Sequence, residues 1–345
     1  MKQLKLEPLI LTLVVAVTAA ANDASTSAEL FISWKDLIVT RNDIKSGRAI
    51  VVDQNGRGNS ITIQGAVDLI PANNESRMKI LVYTGTYNET VEIPANKSYV
   101  SIIGRPNTRN GDFPVITSCR KASDTDQSGN MLGSMNTATV LVQSNYFVAA
   151  ALTIENSAVP SGHGDQALAI RIDGDKSVFY KVRFLGYQDT LMDNIGTHLF
   201  YHCYIEGSID FICGSATSLY QDCTINSTRA GAIAAHERNT EDDSGFIFED
   251  CKILGTGPTI LGRAWGNYSR IIYSFCTFHN IIDPVGWSDW DNPYKQNTSF
   301  FGEYMNQGPG SNRIGRASWS KSLSDDQAIR YVGRTFIKGH DWLKI

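Results

Sequence analysis

Cysteine, positive charge, long apolar runs and helical periodicity are all scarce in this chain. Its 345 residues include six cysteines, Cys119, Cys203, Cys213, Cys223, Cys251 and Cys276, too dilute to frame a disulfide-dense miniprotein. None belongs to a C-x-x-C pair, so zinc has no evident home, and no metal or other cofactor is expected. Lysine and arginine number 31 against 35 aspartates and glutamates, a formal charge of −4, which argues against nucleic acid as a partner. The most apolar stretch, Leu9 to Ala21, is shorter than the roughly 20 residues that cross a bilayer, so no membrane anchor is expected.

That stretch follows Lys2 and Lys5 and closes on Ala19-Ala20-Ala21, which reads as a secretory signal peptide over residues 1–21. Its removal takes away two lysines and one glutamate, leaving a charge of about −5. Residues 22–49 then form an N-terminal extension and residues 50–345 one elongated domain, expected as a monomer. Six N-x-S/T triplets start at Asn74, Asn88, Asn96, Asn226, Asn267 and Asn297 and agree with a secreted, extracellular glycoprotein.

In place of helices, one short strand-like phrase recurs: FVAAALTIEN from Phe147, FYKVRFLG from Phe179, FYHCYIEG from Phe200, LYQDCTIN from Leu219, FEDCKILG from Phe248 and YSFCTFHN from Tyr273. Equivalent positions are Leu152, Val182, Cys203, Cys223, Cys251 and Cys276, at intervals of 30, 21, 20, 28 and 25 residues. Strands at that period, with Gly or Asn at their exits, predict an all-β solenoid, a parallel β-helix whose coils stack about 4.8 Å apart. The aligned cysteines then form an internal ladder, either of small buried hydrophobes or with a bridge, for which Cys223 and Cys251 are the favoured pair. A helix over Gly65–Leu69 is expected to cap the first coil, and Ser324 to N-cap a short closing helix.

Stacking turns residues one coil length apart into spatial neighbours. Asp189 and Asp210 are 21 apart, and Gln166 and Gln188 are 22 apart. Two carboxylates so placed in a partly dry groove cannot both ionise easily, which leaves one acid and one base. That division suits ester hydrolysis, in which one group attacks the carbonyl carbon and the other protonates the leaving alkoxide. Neutral glutamine amides could hold the oxyanion, Arg263 could keep the nucleophile ionised, and Trp265 offers a flat face to a sugar ring.

Five segments carry a resemblance: Gly85-Thr86-Tyr87-Asn88-Glu89, Gln166-Ala167-Leu168-Ala169, Gln188-Asp189-Thr190-Leu191, Asp210-Phe211-Ile212-Cys213-Gly214 and Leu261-Gly262-Arg263-Ala264-Trp265. In order and context, from about Ile50 to Trp342, the chain resembles the plant-type pectin methylesterases (pectinesterases). The resemblance implies a right-handed parallel β-helix that hydrolyses methyl esters of homogalacturonan in the cell wall, releasing methanol, without a metal. It further implies Asp210 as nucleophile, Asp189 as proton donor and acceptor, Gln166 and Gln188 at the oxyanion, and Arg263 orienting Asp210. Trp265, Trp287 and Ser134 are implied at the substrate groove. A proteinaceous inhibitor is a partner the family suggests. The stretch before Ile50 is too short for the N-terminal inhibitor-like bundle of many plant members, so a short form is expected.

Cys213 stands where the family usually has phenylalanine, and Ala264 where it usually has proline; either could loosen the positioning of Asp210 or Arg263. His236, at a place where glutamine is frequent, is expected to be structural. Other pectin-active β-helices fit less well. The acidic run Glu241-Asp242-Asp243 reads as a solvated loop rather than the calcium site of a lyase, and Gly162-His163-Gly164 lacks the companions of a polygalacturonase element. A non-catalytic wall-binding relative is disfavoured because all five reacting positions hold the expected residue types. The acidic charge predicts a freely diffusing enzyme, not one immobilised on a polyanionic wall.

Overall fold

The computed structural model describes residues 31–107, 109–162 and 164–345, so the expected signal peptide at residues 1–21, and His163, lie outside the described residues. Short strands wind in parallel through successive coils of a β-helix with three faces. On the first face, an 11-stranded sheet runs in chain order from Ala49–Val52 to Lys321–Ser322. The second and third faces are continuous in a 14-stranded sheet, because the long strands Tyr204–Gly214 and Thr224–His236 turn the corner between them.

The first face is buried on both sides, which is why its strands read as nearly unbroken apolar runs. Its inner stripe stacks Phe179, Phe200, Tyr220, Phe248 and Tyr273, with successive ring centroids 4.8, 4.5, 4.6 and 4.4 Å apart. These distances follow the spacing of the coils, so each ring repeats the position of the one before it. Its outer stripe, Val178, Leu199, Leu219, Ile247 and Ile272, packs against Ile32, Leu37, Ile337 and Trp342 of the two terminal segments. Those segments pair with each other, Ile32–Ser33 beside Leu343–Lys344.

Both capping expectations have counterparts. A helix spans Ile63–Asp68, with Thr62 Oγ1 accepting the Gly65 N–H at 3.1 Å and Ile63, Ala66 and Val67 buried. Ser324 N-caps Asp325–Ala328, closing a capping box with Gln327. Coils leave the first face through left-handed residues, Lys181, His202, Asp222, Asp250 and Phe275, at φ of 53–56°. The N–H of each joins the next coil, as in His202 to the Gln221 carbonyl at 3.1 Å, which offsets the cost of about 1–2 kcal/mol for that conformation.

The aligned positions Leu152, Val182, Cys203, Cys223, Cys251 and Cys276 form an interior ladder. All six cysteines are free thiols, so the favoured Cys223–Cys251 bridge is corrected. The thiols donate instead to carbonyls of the preceding coil, Cys223 to Phe200 at 3.4 Å and Cys251 to Tyr220 at 3.2 Å. Side chains in register on parallel strands run side by side about 4.8 Å apart, whereas a disulfide draws its Cβ atoms to about 3.8 Å.

Of the six sequon asparagines, Asn88, Asn96, Asn267 and Asn297 are exposed. Asn74 and Asn226 are half-buried, and their amides are engaged: Asn74 Nδ2 with the Ser76 and Ser98 carbonyls at 3.1 and 2.5 Å, Asn226 Nδ2 with Glu206 Oε2 at 2.8 Å.

Candidate active site

The third face carries the candidate site on its outer side. In register across it lie Leu141, Arg171, Met192, Cys213, Ala235, Arg263 and Ser288. Side chains alternate across a strand, so the neighbouring row, Val140, Ile170, Leu191, Ile212, Ala234, Gly262 and Trp287, faces the core. Leu168, Met192, Cys213 and Ala235 form an apolar floor, with Ala138, Trp265 and Trp290 packed against it.

At the corner entering this face, Gln166 bridges Gln188 and Gln188 bridges Ile209 in parallel, so Gln166 and Gln188 stack on adjacent coils. One residue on, the same register sets Asp189 beside Asp210, about 4.8 Å away along the coil axis. Both aspartates are left-handed, at φ of 58° and 46°. Between Ile209 and Ile212 the strand Tyr204–Gly214 takes one more step than its partner, a β-bulge centred on Asp210 and Phe211. Phe211 is fully buried, and a Cβ at Gly207 would lie 2.2 Å from the Phe211 Cβ. Only glycine at 207 therefore lets Phe211 sink inward and Asp210 turn toward the groove.

Arg263, two coils further on, grips Asp210 with both arms of its fork: Nε donates to Oδ1 at 2.6 Å and Nη2 donates to Oδ2. Its guanidinium carbon lies 4.0 Å from the centre of the Trp290 ring. Carboxylate at the edge and indole on the face hold the cation in one orientation. Burial raises the pKa of Asp210, while the hydrogen bonds and charge of Arg263 pull it down. Asp189 lacks that partner; burial and the Asp210 charge push it up to about 8, with Arg263 opposing. The environments thus part the two carboxyls, leaving Asp189 protonated at neutral pH and Asp210 the better carboxylate.

The remaining expected residues separate. Trp265 borders the apolar floor. Trp287 does not: it is 2 % exposed, stacks on Phe301 at 4.7 Å and donates from Nε1 to Glu303 at 3.2 Å. Register parity turns it inward, and Trp290, three residues later beyond a turn, is the aromatic at the groove. The GWSDW segment contained both indoles, but nothing local told which faced out. Ser134 is half-buried at the start of a short 3-10 helix, Ser134–Asn136, whose Thr137 Oγ1 accepts from the Leu168 N–H at 3.0 Å. Its loop is thereby fastened to the coil that carries Gln166.

Lys295 is a positioning residue the sequence did not reveal: its Nζ donates to the carbonyls of Ala264 and Trp265 at 2.8 and 2.9 Å. Ala264 donates its own N–H to the Ser288 carbonyl at 2.9 Å, a bond proline could not make. Cys213 is buried in the floor rather than presented to the groove. His236 is wholly buried, accepts the Arg270 N–H at 3.3 Å, donates to the Ala216 carbonyl at 3.2 Å, and burial lowers its pKa to about 4. A neutral structural imidazole fits all of this. His198 and His202 have H-x-x-x-H spacing yet diverge: His198 is buried against Asp193, and His202 is exposed at a corner. Asp242 in the acidic run is used locally, accepting from Ser244, Thr240 and Arg238.

The Pectinesterase family profile matches residues 49–340. Pectinesterase QRT1 of Arabidopsis thaliana is 52% identical over 303 residues, spanning 86% of this chain and 79% of that protein. Pectinesterase 31 of Arabidopsis thaliana is 36% identical over 298 residues, spanning 84% and 92%. Among solved structures, the pectin methylesterase from carrot superposes with a TM-score of 0.79 at 31% identity, covering 86% of this chain and 94% of that one. The deglycosylated pectin methylesterase from Aspergillus niger does so with a TM-score of 0.74 at 30% identity, covering 86% and 96%.

Proposed function

The chain belongs to the pectinesterase family, and from that premise we propose that Asp210 and Asp189 divide the hydrolysis of its substrate's methyl ester between them. It is a pectin methylesterase, a carboxylic ester hydrolase that removes methyl esters from pectin. The observation that carries the assignment of roles is the two-armed grip of Arg263 on Asp210, with Asp189 one coil away and without a cation of its own.

In the first half-reaction the Asp210 carboxylate adds to the ester carbonyl carbon. The oxygen that gains charge is held by the Gln166 and Gln188 amides, neutral donors that bring no competing proton. As the carbon–methoxy bond breaks, Asp189 passes its proton to the leaving oxygen and methanol departs, leaving the galacturonyl group acylated on Asp210. Asp189, now ionised, takes a proton from water whose oxygen adds to the same carbonyl. The bond to Asp210 breaks, the galacturonic acid is released and gives water's second proton to solvent to become a carboxylate, and the first proton stays on Asp189 for the next cycle. Trp265, beside the apolar floor, provides a flat surface for a sugar ring, and Ser134 lies on the loop at the upstream end.

The catalytic domain is residues 50–345, acting as a secreted monomer in the cell wall after loss of residues 1–21. Exposed Asn88, Asn96, Asn267 and Asn297 support the secreted route as glycan acceptors. A proteinaceous inhibitor covering the groove is a compatible partner. Methanol release from methylated pectin tests the assignment: Asp210→Ala and Asp189→Ala, each folded, should lose turnover, and full activity in either would end this division of roles.

A further inference from the structure

The strand Thr259–Arg263 ends at the residue that grips Asp210, and the chain beyond it leaves the sheet. Trp265 turns its N–H back to the Arg263 carbonyl at 3.1 Å, a tight three-residue turn. On the next coil the strand Trp287–Ser288 ends in the same register and runs into Trp290 and Asp291, both left-handed at φ of 59° and 55°. Arg263 therefore lies between two irregular segments, its own backbone on one side and the Trp290 ring on the other. Consecutive left-handed residues without glycine persist only where their surroundings over-determine them.

One short helix, Lys295–Thr298, reaches both segments. Toward the first, Lys295 Nζ donates to the Ala264 and Trp265 carbonyls at 2.8 and 2.9 Å, and Thr298 Oγ1 donates to the Asn267 carbonyl. Toward the second, Gln296 Nε2 donates to Asp289 Oδ2 at 2.7 Å, in the turn where the Trp290 N–H donates to Ser288 Oγ at 3.1 Å. Lys295 is only 9% exposed, and among the described residues it forms no ion pair. Burial lowers its pKa, with only the Asp289 charge opposing. Holding an ammonium in that setting is unfavourable, and an apolar side chain would serve mere packing better. What an apolar side chain lacks is the pair of donors that fixes the two carbonyls.

We propose that Lys295 and Gln296 are positioning residues that together hold Arg263 on Asp210, Lys295 through the backbone that follows Arg263 and Gln296 through the turn that carries Trp290. The inference rests on the esterase reading above and adds what maintains the two-armed grip. Neither side chain is a partner of Asp189 or Asp210, so both act through others. With the grip loosened, Arg263 pulls less on the Asp210 carboxyl, which then keeps its proton to a higher pH and attacks less readily. The charges of Asp189 and Asp291, which also bear on Arg263, remain in place. Lys295 additionally fixes Trp265, which Gln296 does not touch.

The test measures kcat, KM and the pH profile of methanol release from methylated pectin in Gln296→Ala, Lys295→Met and the double variant. Gln296→Ala, at a half-buried position that leaves the core intact, should lower kcat about 3–10-fold with KM nearly unchanged; Lys295→Met should lower kcat about 10–100-fold and raise KM as Trp265 shifts. In both, the acid limb of kcat/KM should move to higher pH by about half a unit or more. Because both act on Arg263, the double variant should lose less than the product of the single losses. Wild-type kcat and acid limb in Gln296→Ala overturn the proposal while the esterase reading stands. Losses that leave the acid limb in place, or that simply multiply, overturn it in favour of a merely structural helix. A folded wild-type protein that releases no methanol overturns the esterase reading itself, and the proposal with it.

Discussion

The conflict between catalysis and stability at Asp189 is open to a direct test with Asp189→Asn. In the folded protein Asp189 keeps its proton up to about pH 8, whereas in the unfolded chain an aspartate loses it near pH 4. A carboxyl whose folded pKa is raised contributes its full stability below the unfolded value and loses it as pH rises toward the folded one. Between pH 4 and pH 7 that is about three pH units, a ceiling of ~4 kcal/mol at about 1.4 kcal/mol per unit. Solvent reaching the half-buried carboxyl brings the expected figure to on the order of 1–2 kcal/mol. Asparagine of nearly the same shape never has to hold a proton against that gradient. Differential scanning calorimetry should therefore find Asp189→Asn melting a few degrees above wild type at pH 7.5, with the difference vanishing near pH 4. Turnover in the same variant should fall about 10²–10⁴-fold, because the group proposed to protonate methanol is gone. What activity remains should lack the alkaline decline expected of wild type near pH 8. A variant that melts below wild type at pH 7.5, or whose residual activity keeps the same alkaline limb, would refute the reasoning.

Three further outcomes follow from the same geometry. Trp287→Ala should cost about 3–5 kcal/mol of stability in denaturant melts, whereas Trp290→Ala should leave the core intact and reduce kcat through a less constrained Arg263; the opposite pattern would reverse their assignment. Reductant should leave the melting temperature unchanged, and titration of denatured, unreduced protein should find six thiols, fewer meaning that a bridge forms. His198 sits between Asp193 Oδ1 at 2.5 Å and the Gly174 carbonyl at 2.7 Å, and the Asp193 charge and hydrogen bonds outweigh burial to raise its pKa. The stability this pair provides is present below about pH 6.5 and fades as pH rises through the folded value; His198→Gln should flatten that pH dependence, and an unaltered profile would show the charge to be irrelevant.

The architecture was legible because a solenoid repeats its instructions. The recurrent phrase aligned Cys203, Cys223, Cys251 and Cys276 correctly as one interior ladder, since equivalent positions in equivalent coils meet the same neighbours. The same logic brought Asp189 to Asp210 and Gln166 to Gln188, for which coil length alone is enough. It failed where the repeat breaks. The resemblance implies Trp287 at the groove, but register parity buries it and leaves Trp290, an odd number of residues on, as the aromatic that faces Arg263. Cys223 and Cys251 were correctly neighbours and incorrectly partners, because adjacency along a parallel ladder sets Cβ atoms too far apart to bridge. Lys295 gave no signal at all, since its carbonyl partners at Ala264 and Trp265 are 31 and 30 residues away.

By itself the sequence determined the period, the apolar face of each strand and which aspartates and glutamines lie one coil apart, all of which are carried by local composition repeated at near-regular intervals. Tertiary structure alone decided orientation and electrostatics. The bulge that turns Asp210 outward, the two-armed grip of Arg263, the raised pKa of Asp189 and the placement of Trp290 over Arg263 each depend on how successive coils are registered. A shift of one residue between coils would leave every motif in place and point every one of these side chains to the other side of the sheet.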